Sequence, residues 1–355
     1  MTGRREQMDK GTDPRLAVES YIAKPDVRFF DIDGAPFRIY GVRRYGDAYL
    51  RLPPELASKL NSRAKKFSAA TAGGRVRFKT DSTYVAIRVY LDEIYRVPML
   101  TLTASAGFDL YEGESFLGSF NPPYEVQSGG AYEAVINLGE RRERTLTLNM
   151  PLYSGVKQVW VGVDGTATLG APEDYKINSP IVFYGSSITH GACASRPGMT
   201  FLSMISRKLD ADIISLGFGA GCRGERELAE YIGELDASML VCAYDHNAPN
   251  KEKLRQTHEP FYKALRAAGA KFQILLLSRP EIDSTEDGEQ RRQIIKETYE
   301  TARAGGDFLL EYLDGRELVS NKDFTHDGIH PNDLGQGEIA KVLGEKISKI
   351  LRQKQ

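Results

Sequence analysis

The sequence has few of the residues that build metal sites, disulfide frameworks or nucleic-acid-binding surfaces. Among its 355 residues are three cysteines, Cys193, Cys222 and Cys242, and no pair has zinc-site spacing. The formal net charge of −1 provides no basic surface for a polyanion, which argues against a nucleic acid partner. We therefore expect no metal and no bound cofactor, and a reducing cytoplasm is the simplest expected location.

Long apolar runs are also missing. The first fifteen residues are charged and lack the apolar centre of a signal peptide. The longest apolar runs, such as 274–277, are far too short to cross a bilayer, so no membrane partner is expected. What remains is an ordinary globular composition, with 41% hydrophobic and 27% charged residues, at a length that favours two domains.

The two halves of the chain have different hydrophobic periodicities. Up to about residue 163, short segments alternate apolar and polar residues and are separated by turn residues, which is typical of antiparallel strands. This pattern predicts a β-sandwich, interrupted by one helical candidate at 53–67. The clearest predicted strands are 75–80, 84–91, 131–138, 144–150 and 156–163.

From residue 180 onward, apolar strand-like runs alternate with helical stretches. This alternation predicts a parallel sheet covered by helices on both faces, with its functional site at the carboxyl ends of the strands. A connector at 165–179 separates a predicted β-rich domain, 1–170, from an α/β domain, 178–355. The predicted strands of the second domain are 181–185, 212–218, 239–244, 272–277 and 307–313.

The first of these strands runs directly into a glycine- and serine-rich turn, Gly185-Ser186-Ser187-Ile188-Thr189-His190-Gly191. A hydroxyl nucleophile at the end of a rigid strand would stand beside backbone N–H groups that can stabilise an oxyanion. An ordinary polar loop accounts for the same residues equally well, because glycine and serine are common in turns.

The last loop before the final helix contains Asp327 and His330, three residues apart. One turn can bring this carboxylate to the imidazole, fixing its tautomer while the other ring nitrogen takes a serine proton. An acidic helix start with an incidental histidine is the alternative. His326 is the local competitor, but it lies on the other side of Asp327.

Three blocks then link the turns. YGSSITHG resembles the first block of SGNH/GDSL hydrolases, DGIHPN resembles their last block, and Asn247 in AYDHNAP matches the block that carries the family's asparagine. The chain is most similar to a bacterial two-domain subgroup of acylhydrolases, because GFDLY at 107–111 resembles that subgroup's GxDLY motif. The resemblance implies a three-layer α/β/α, flavodoxin-like hydrolase domain preceded by a jelly-roll-like β-sandwich.

The resemblance also implies residue roles. Ser187 would be the nucleophile, His330 the general base and then acid, and Asp327 the residue that orients the imidazole. The oxyanion donors would be the N–H of Ser187, the N–H of Ala220 and the side-chain amide of Asn247. The family commonly has Ser-Gly at the second donor, and alanine serves there only if it can adopt the required φ and ψ. The donor within the 219–221 loop therefore stays open.

Other functions remain to be weighed. The 219–224 loop contains a formal G-x-G-x-x-G, which would indicate an NAD-linked oxidoreductase. It follows the second strand instead of the first, and it leaves the serine and Asp-His turns unexplained. A non-catalytic sugar-binding protein is a further alternative. An acyltransferase would use the same triad, so the sequence does not separate it from a hydrolase.

The expected substrate is a small acyl ester, with a short acyl group such as acetyl on a polar carrier such as a sugar. The segment after the nucleophile, THGACASRPGM, is small and polar, whereas long acyl chains need an apolar pocket. Tyr111 could contact a sugar, or its domain could simply cover the hydrolase. Arg196 could touch substrate or brace its loop, His190 would lie at the rim, and His258 would begin a helix. A homo-oligomer is neither required nor excluded.

Overall fold

The computed structural model describes residues 22–352. Its N-terminal half contains two antiparallel six-stranded sheets, one ordered β3-β4-β11-β6-β9 with β1 paired to β11, the other ordered β12-β5-β10-β7-β8 with β2 paired to β5. The strands are β1 (Arg28–Asp31), β2 (Arg38–Tyr40), β3 (Arg43–Tyr45), β4 (Ala48–Leu50), β5 (Arg75–Thr80), β6 (Tyr84–Leu91), β7 (Phe108–Glu112), β8 (Ser115–Phe120), β9 (Ala131–Asn137), β10 (Arg144–Asn149), β11 (Val156–Val163) and β12 (Leu169–Gly170). The helices are α1 (Pro54–Lys59), α2 (Ser62–Ser68) and α3 (Leu102–Ala106).

The two sheets share one apolar core. Val85, Ile87 and Val89 alternate along β6 and pack with Phe78 and Leu148 of the other sheet. This arrangement confirms the predicted β-sandwich, because apolar side chains from the facing sides of the two sheets pack into one core. The helical candidate at 53–67 is divided into α1 and α2.

A new helix begins within that candidate because of Asn61. Its side chain accepts the N–H groups of Arg63 and Ala64 and so caps α2.

The C-terminal half contains a five-stranded parallel sheet ordered β14-β13-β15-β16-β17. Because β13 comes first in the chain, this is the 2-1-3-4-5 order of flavodoxin-like folds. The strands are β13 (Ile177–Gly185), β14 (Ala211–Gly217), β15 (Met239–Ala243), β16 (Gln273–Leu277) and β17 (Leu310–Leu313). The helices are α4 (Ser187–His190), α5 (Phe201–Leu209), α6 (Arg226–Gly233), α7 (Lys251–Ala267), α8 (Glu286–Ala304) and α9 (Asp333–Arg352).

Helices cover both faces of this sheet, as predicted. Side chains of α5 and α9 form one apolar cluster against it, and side chains of α6, α7 and α8 form another. The prediction that His258 begins a helix is wrong, because it lies in the middle of α7. The helix begins after Asn250, whose side chain accepts the N–H of Lys253, and Pro260 is accommodated within it.

The two halves are packed directly on each other. Phe67 of α2 and Tyr153 share an apolar cluster with Leu216 and Phe218, which lie at the end of β14 and just beyond it. A Cβ on Gly73 would lie 2.8 Å from the Cβ of Ser215, so glycine permits this close approach. The N-terminal half thereby covers β14, an edge strand of the parallel sheet.

Candidate active site

The carboxyl ends of β13 and β14 leave room for the short helix α4. A Cβ on Gly185 would lie 2.2 Å from Oγ1 of Thr189, and a Cβ on Gly217 would lie 2.4 Å from the backbone nitrogen of His190. Only glycine allows α4 to fold back so closely onto the strand ends. Ser187 is the first residue of α4, and Ser186 caps the helix by accepting the N–H of Ile188.

Three predicted residues meet at this strand end. Oγ of Ser187 lies 2.9 Å from Nε2 of His330, and Nδ1 of the same ring lies 2.8 Å from Oδ2 of Asp327. The carboxylate can only accept, so Nδ1 carries the ring proton and Nε2 accepts from the serine hydroxyl. This is the hydrogen-bond order of a serine, histidine and aspartate triad.

Asp327 also organises the turn that carries the histidine. Its Oδ1 accepts the N–H of Ile329 at 3.0 Å and the N–H of His330 at 2.8 Å. Partial burial opposes ionisation of this carboxylate, but the hydrogen bonds from His330 and Ile329 outweigh that effect and lower its pKa to about 2. The group is therefore an anion at neutral pH, as an acceptor for an imidazolium requires.

The loop after β14 approaches the nucleophile. A Cβ on Gly219 would lie 3.5 Å from the Cβ of Ser187. Ala220 has a φ of +57°, so the alanine does adopt the left-handed conformation that glycine would occupy. Its N–H donates to Oδ1 of Asn247 at 3.1 Å, while Nδ2 of Asn247 donates to the carbonyl of Phe218 at 3.0 Å.

These two bonds fix the orientation of the Asn247 amide, since a flipped amide would oppose donor to donor and acceptor to acceptor. The predicted donors Ser187, Ala220 and Asn247 thus lie beyond the ends of three neighbouring strands, and the Ala220 N–H is already bonded to Asn247.

Arg51 of the N-terminal half lies buried beneath this loop. Burial lowers its pKa to about 9, so the guanidinium remains charged at neutral pH. Within residues 22–352 no carboxylate forms an ion pair with it. Its donors reach the carbonyl oxygens of Phe67, Ala70, Ser215 and Gly217. No sequence motif indicated this residue, because its contacts with Ser215 and Gly217 join positions more than 160 residues apart.

His190 is buried, so its predicted place at the cleft rim is wrong. The ring stacks on Tyr153 with centroids 3.9 Å apart, and Nε2 lies 2.7 Å from the carbonyl oxygen of Leu152. Burial, and then the nearby charge of Arg51, lower its pKa well below the ordinary value. A neutral imidazole that donates to a carbonyl is a packing element, because α4 rests on the N-terminal half at this point.

The structure also shows what surrounds Tyr111 and Arg196, the two side chains for which a contact with substrate was considered. Tyr111 is 2% exposed, so it does not offer a face to a sugar. Arg196 braces its loop: its guanidinium lies over the Phe116 ring and donates to the Tyr111 hydroxyl at 3.3 Å.

The G-x-G-x-x-G segment is packed against protein. A Cβ on Gly221 would lie 2.8 Å from the backbone nitrogen of Ala64, and one on Gly224 would lie 2.7 Å from the Tyr244 hydroxyl. These glycines permit close packing, and their faces are occupied by α2 and by an aromatic ring. The NAD-linked alternative is therefore disfavoured on geometry as well.

Two other titratable side chains near the triad, His246 and Cys193, are neutral at pH 7. Burial, and then the charge of Arg279, lower the pKa of His246 to about 3. Burial and the charge of Asp327 raise the pKa of the Cys193 thiol to about 11, so it is a poor competitor for the nucleophile's role. Across residues 22–352, no group of three or more His, Cys, Asp or Glu side chains is placed to hold a metal ion. In the same part of the chain, no helix is long and apolar enough to span a bilayer.

Comparisons with known proteins agree with this geometry. Residues 178–348 match the model of the GDSL-like lipase/acylhydrolase family, and residues 27–169 match a GxDLY model described as the N-terminus of SGNH-hydrolase-type esterases. No curated protein matches the chain.

Several solved structures are similar. One described as a GDSL-like lipase from Bacteroides ovatus is 27% identical, with a TM-score of 0.82 over 92% of this chain and 98% of that chain. A salicylyl-acyltransferase from a tetracycline biosynthetic pathway, SsfX3, is 20% identical, with a TM-score of 0.77 and the same coverage. An acetyl xylan esterase from Butyrivibrio proteoclasticus is 12% identical, with a TM-score of 0.64, again over 92% and 98% of the two chains. Residues 178–348 are therefore a GDSL-like lipase/acylhydrolase domain, of the kind that acts on ester bonds, and residues 27–169 in front of it are a GxDLY domain of SGNH-hydrolase-type esterases.

Proposed function

We propose that the chain is a serine esterase that removes short acyl groups, acetyl in particular, from a polar carrier such as a sugar or glycoside. Ser187 would be the nucleophile, His330 the base and Asp327 its orienting partner. The observation that carries the proposal is the continuous pair of hydrogen bonds, 2.9 Å from Ser187 to His330 and 2.8 Å from His330 to Asp327.

The first half of the reaction follows from the proton positions. As Oγ of Ser187 attacks the ester carbon, its proton moves to Nε2 of His330, and the hydrogen bond to anionic Asp327 stabilises the imidazolium. Negative charge then develops on the former carbonyl oxygen. The N–H of Ser187, an N–H of the 219–220 loop and the Asn247 N–H that is not bonded to Phe218 would stabilise it.

The second half reverses these proton movements. The imidazolium of His330 gives its proton to the leaving alkoxide oxygen, the ester C–O bond breaks, and an acyl ester of Ser187 remains. Water then attacks that ester with His330 again as base, releasing a carboxylic acid and restoring the serine hydroxyl.

The surroundings of the nucleophile support a short acyl group. A Cβ added to Gly219 would lie 3.5 Å from the Cβ of Ser187 and 3.7 Å from Cε2 of Phe67, so the glycine leaves room for a methyl group beside the serine. A short acyl group suits such a space, whereas a long chain needs an extended apolar pocket to gain about 0.8 kcal/mol per buried CH₂.

An open cavity of about 450 Å³ lies beside the Asp-His turn, and both halves of the chain line it. Apolar walls from residues 98–100 and Leu334 are combined with polar ones from Thr101, Ser195, His326, Asn332 and Asp333. Polar groups that converge on a cleft suit a hydroxyl-rich carrier. The acetyl xylan esterase with the same fold adds support, since its substrate is an acetylated sugar polymer by name.

A p-nitrophenyl ester series from acetate to decanoate, with acetylated sugars alongside, tests the proposal. We expect kcat/KM to be highest for the shortest esters, and Ser187→Ala to lose nearly all activity on every substrate. A kcat/KM that climbs with chain length through octanoate would reject the short-acyl proposal and indicate a lipase.

An acyltransferase is the second candidate, because a salicylyl-acyltransferase shares the fold over 92% of this chain. Both reactions pass through acylated Ser187 and differ only in the acceptor. Adding a sugar alcohol to the acetate assay separates them: a transferase forms new ester in preference to free acetate, whereas a hydrolase releases acetate at an unchanged rate.

A further inference from the structure

The Gly-Phe-Asp-Leu-Tyr motif on β7 contacts the hydrolase half. Asp109 is 0% exposed, and each of its oxygens accepts a hydrogen bond. Oδ1 accepts from Nδ2 of Asn149 at 2.8 Å, within the N-terminal half, and Oδ2 accepts from the N–H of Gly198 at 2.7 Å, across the interface. Nε of Arg196 lies 3.6 Å from Oδ2.

Tyr111, two residues further along β7, closes the same contact. Its ring lies under the guanidinium of Arg207, 3.9 Å from the centroid, and its hydroxyl accepts from Nη2 of Arg196 at 3.3 Å. A Cβ on Gly198 would lie 2.4 Å from the Tyr111 ring and 2.8 Å from Oδ2 of Asp109. Asp109 and Tyr111 therefore pack directly against the backbone of Gly198, where no side chain would fit.

Gly198 belongs to the 192–200 segment, which leads away from the nucleophile. At the start of the segment, the N–H of Ala192 donates to the carbonyl oxygen of Ser187 at 2.9 Å. In its middle, the N–H of Ser195 donates to Oδ1 of Asp333 at 2.8 Å, three residues after His330. The 192–200 segment thus connects the nucleophile, the turn that bears the histidine and the GxDLY motif.

We propose that Asp109 is a positioning residue, which holds the 192–200 segment and through it the relative placement of Ser187 and His330. This inference rests on the proposed function of the same site. A carboxylate accepts at both positions, whereas asparagine must present a donor either to Gly198, which also donates, or to Asn149, whose amide must then flip to accept it. Small displacements of this kind are costly, since a 1 Å misplacement can slow an enzyme about 100-fold.

The test compares Asp109→Asn with Asp164→Asn in the full-length protein. Asp164 is also buried in the N-terminal half, but its partners Ser82, Thr83 and Arg141 all belong to that half. For Asp109→Asn we expect kcat for p-nitrophenyl acetate, and the rate constant of labelling by a fluorophosphonate, to fall together on the order of 10- to 100-fold, with KM little changed. Asp164→Asn should lose thermal stability but keep both rate constants.

Hydrogen exchange followed by mass spectrometry measures how well the backbone N–H groups of the 192–200 segment are protected, independently of activity. Peptides that cover 192–200 should lose protection in Asp109→Asn and keep it in Asp164→Asn. If Asp109→Asn does not fold, Gly198→Ala displaces the segment from the opposite side, with the motif intact, and should lower kcat in the same way.

Wild-type kcat with wild-type protection of 192–200, in either Asp109→Asn or Gly198→Ala, would overturn the inference. A wild-type protein that neither hydrolyses acetate esters nor reacts with the fluorophosphonate would instead refute the proposed function. In that case, the exchange measurement still decides whether Asp109 holds the segment.

Discussion

The N–H of Ala220 donates to Oδ1 of Asn247 at 3.1 Å, so two candidate oxyanion donors from different strand ends are bonded to each other. The same asparagine donates to the carbonyl of Phe218 at 3.0 Å. One amide therefore holds the loop after β14 in shape and still has an N–H to offer to a substrate oxygen.

Asn247→Ala should consequently lower kcat on the order of 10²- to 10³-fold, the usual effect of losing one oxyanion donor. KM should change little, because the oxyanion exists only in the transition state. Steady-state kinetics on p-nitrophenyl acetate measure both constants, with Asn250→Ala, a helix cap outside the site, as the control. An unchanged kcat in Asn247→Ala would mean that another group holds the oxyanion.

Ala220→Gly should retain kcat and be as stable as the wild type or slightly more stable. Alanine at a φ of +57° costs roughly 1–2 kcal/mol that glycine avoids, while the extra backbone entropy of glycine costs about 0.5–1 kcal/mol in return. Urea unfolding at neutral pH measures the difference, with Ala220→Val expected to be clearly less stable. Marked destabilisation by glycine would show that the alanine side chain itself contributes packing.

Arg51→Met should lower the free energy of unfolding by roughly 2–4 kcal/mol, because four buried carbonyl oxygens lose their charged donor. Arg226→Met is the matched control: that side chain is 81% exposed in an i,i+4 pair, and its loss should cost less than about 0.5 kcal/mol. Urea unfolding of both variants gives the comparison. Equal stabilities would contradict the role assigned to the buried guanidinium.

The residues proposed to react could be predicted from the sequence, whereas most of the contacts that hold them in place could not. The triad was predicted from two short turns together with their resemblance to the SGNH/GDSL blocks, because the serine turn alone fits an ordinary polar loop equally well. Strands β5, β6 and β11 were predicted at their observed bounds, since their alternation is long and regular. Strands β2, β3 and β4 were not predicted, because three residues are too few to show a period.

The contacts that the N-terminal half makes with the loop after β14 arise from tertiary packing, and such contacts leave no local pattern in the sequence. Arg51 and Phe67 approach the loop after β14 from more than 150 residues away in the chain. Likewise, Pro260 obscured α7, although the spacing of Leu254, Phe261 and Leu265 places them on one buried helix face.

The stability of the fold should depend on pH through Asp109. Burial raises its pKa from the ordinary value of 3.8 to about 6, against the opposing hydrogen bonds from Asn149 and Gly198. Between these two values the folded state binds more protons than the unfolded state, so this carboxylate's contribution to stability is full below pH 4 and is lost as the pH rises through 6.

Urea unfolding of wild type and Asp109→Asn from pH 4 to 8 tests this sign. The free energy of unfolding of the wild type, minus that of the variant, should fall by an amount on the order of 3 kcal/mol between pH 4 and 7. Asp245, whose pKa burial also raises to about 6, is present in both proteins and cancels from the difference. A difference that stays level or rises with pH would contradict the prediction.

The proposed reaction depends on Ser187 as the nucleophile and on His330 as the base that activates it. The most direct measurement is labelling of the full-length protein with a fluorophosphonate, followed by mass spectrometric mapping of the modified residue. We predict one phosphonyl group per chain, on Ser187 and not on Ser186, with labelling abolished in Ser187→Ala and slowed by several orders of magnitude in His330→Ala. A label on another residue, or equal labelling of the Ser187→Ala protein, would contradict the account.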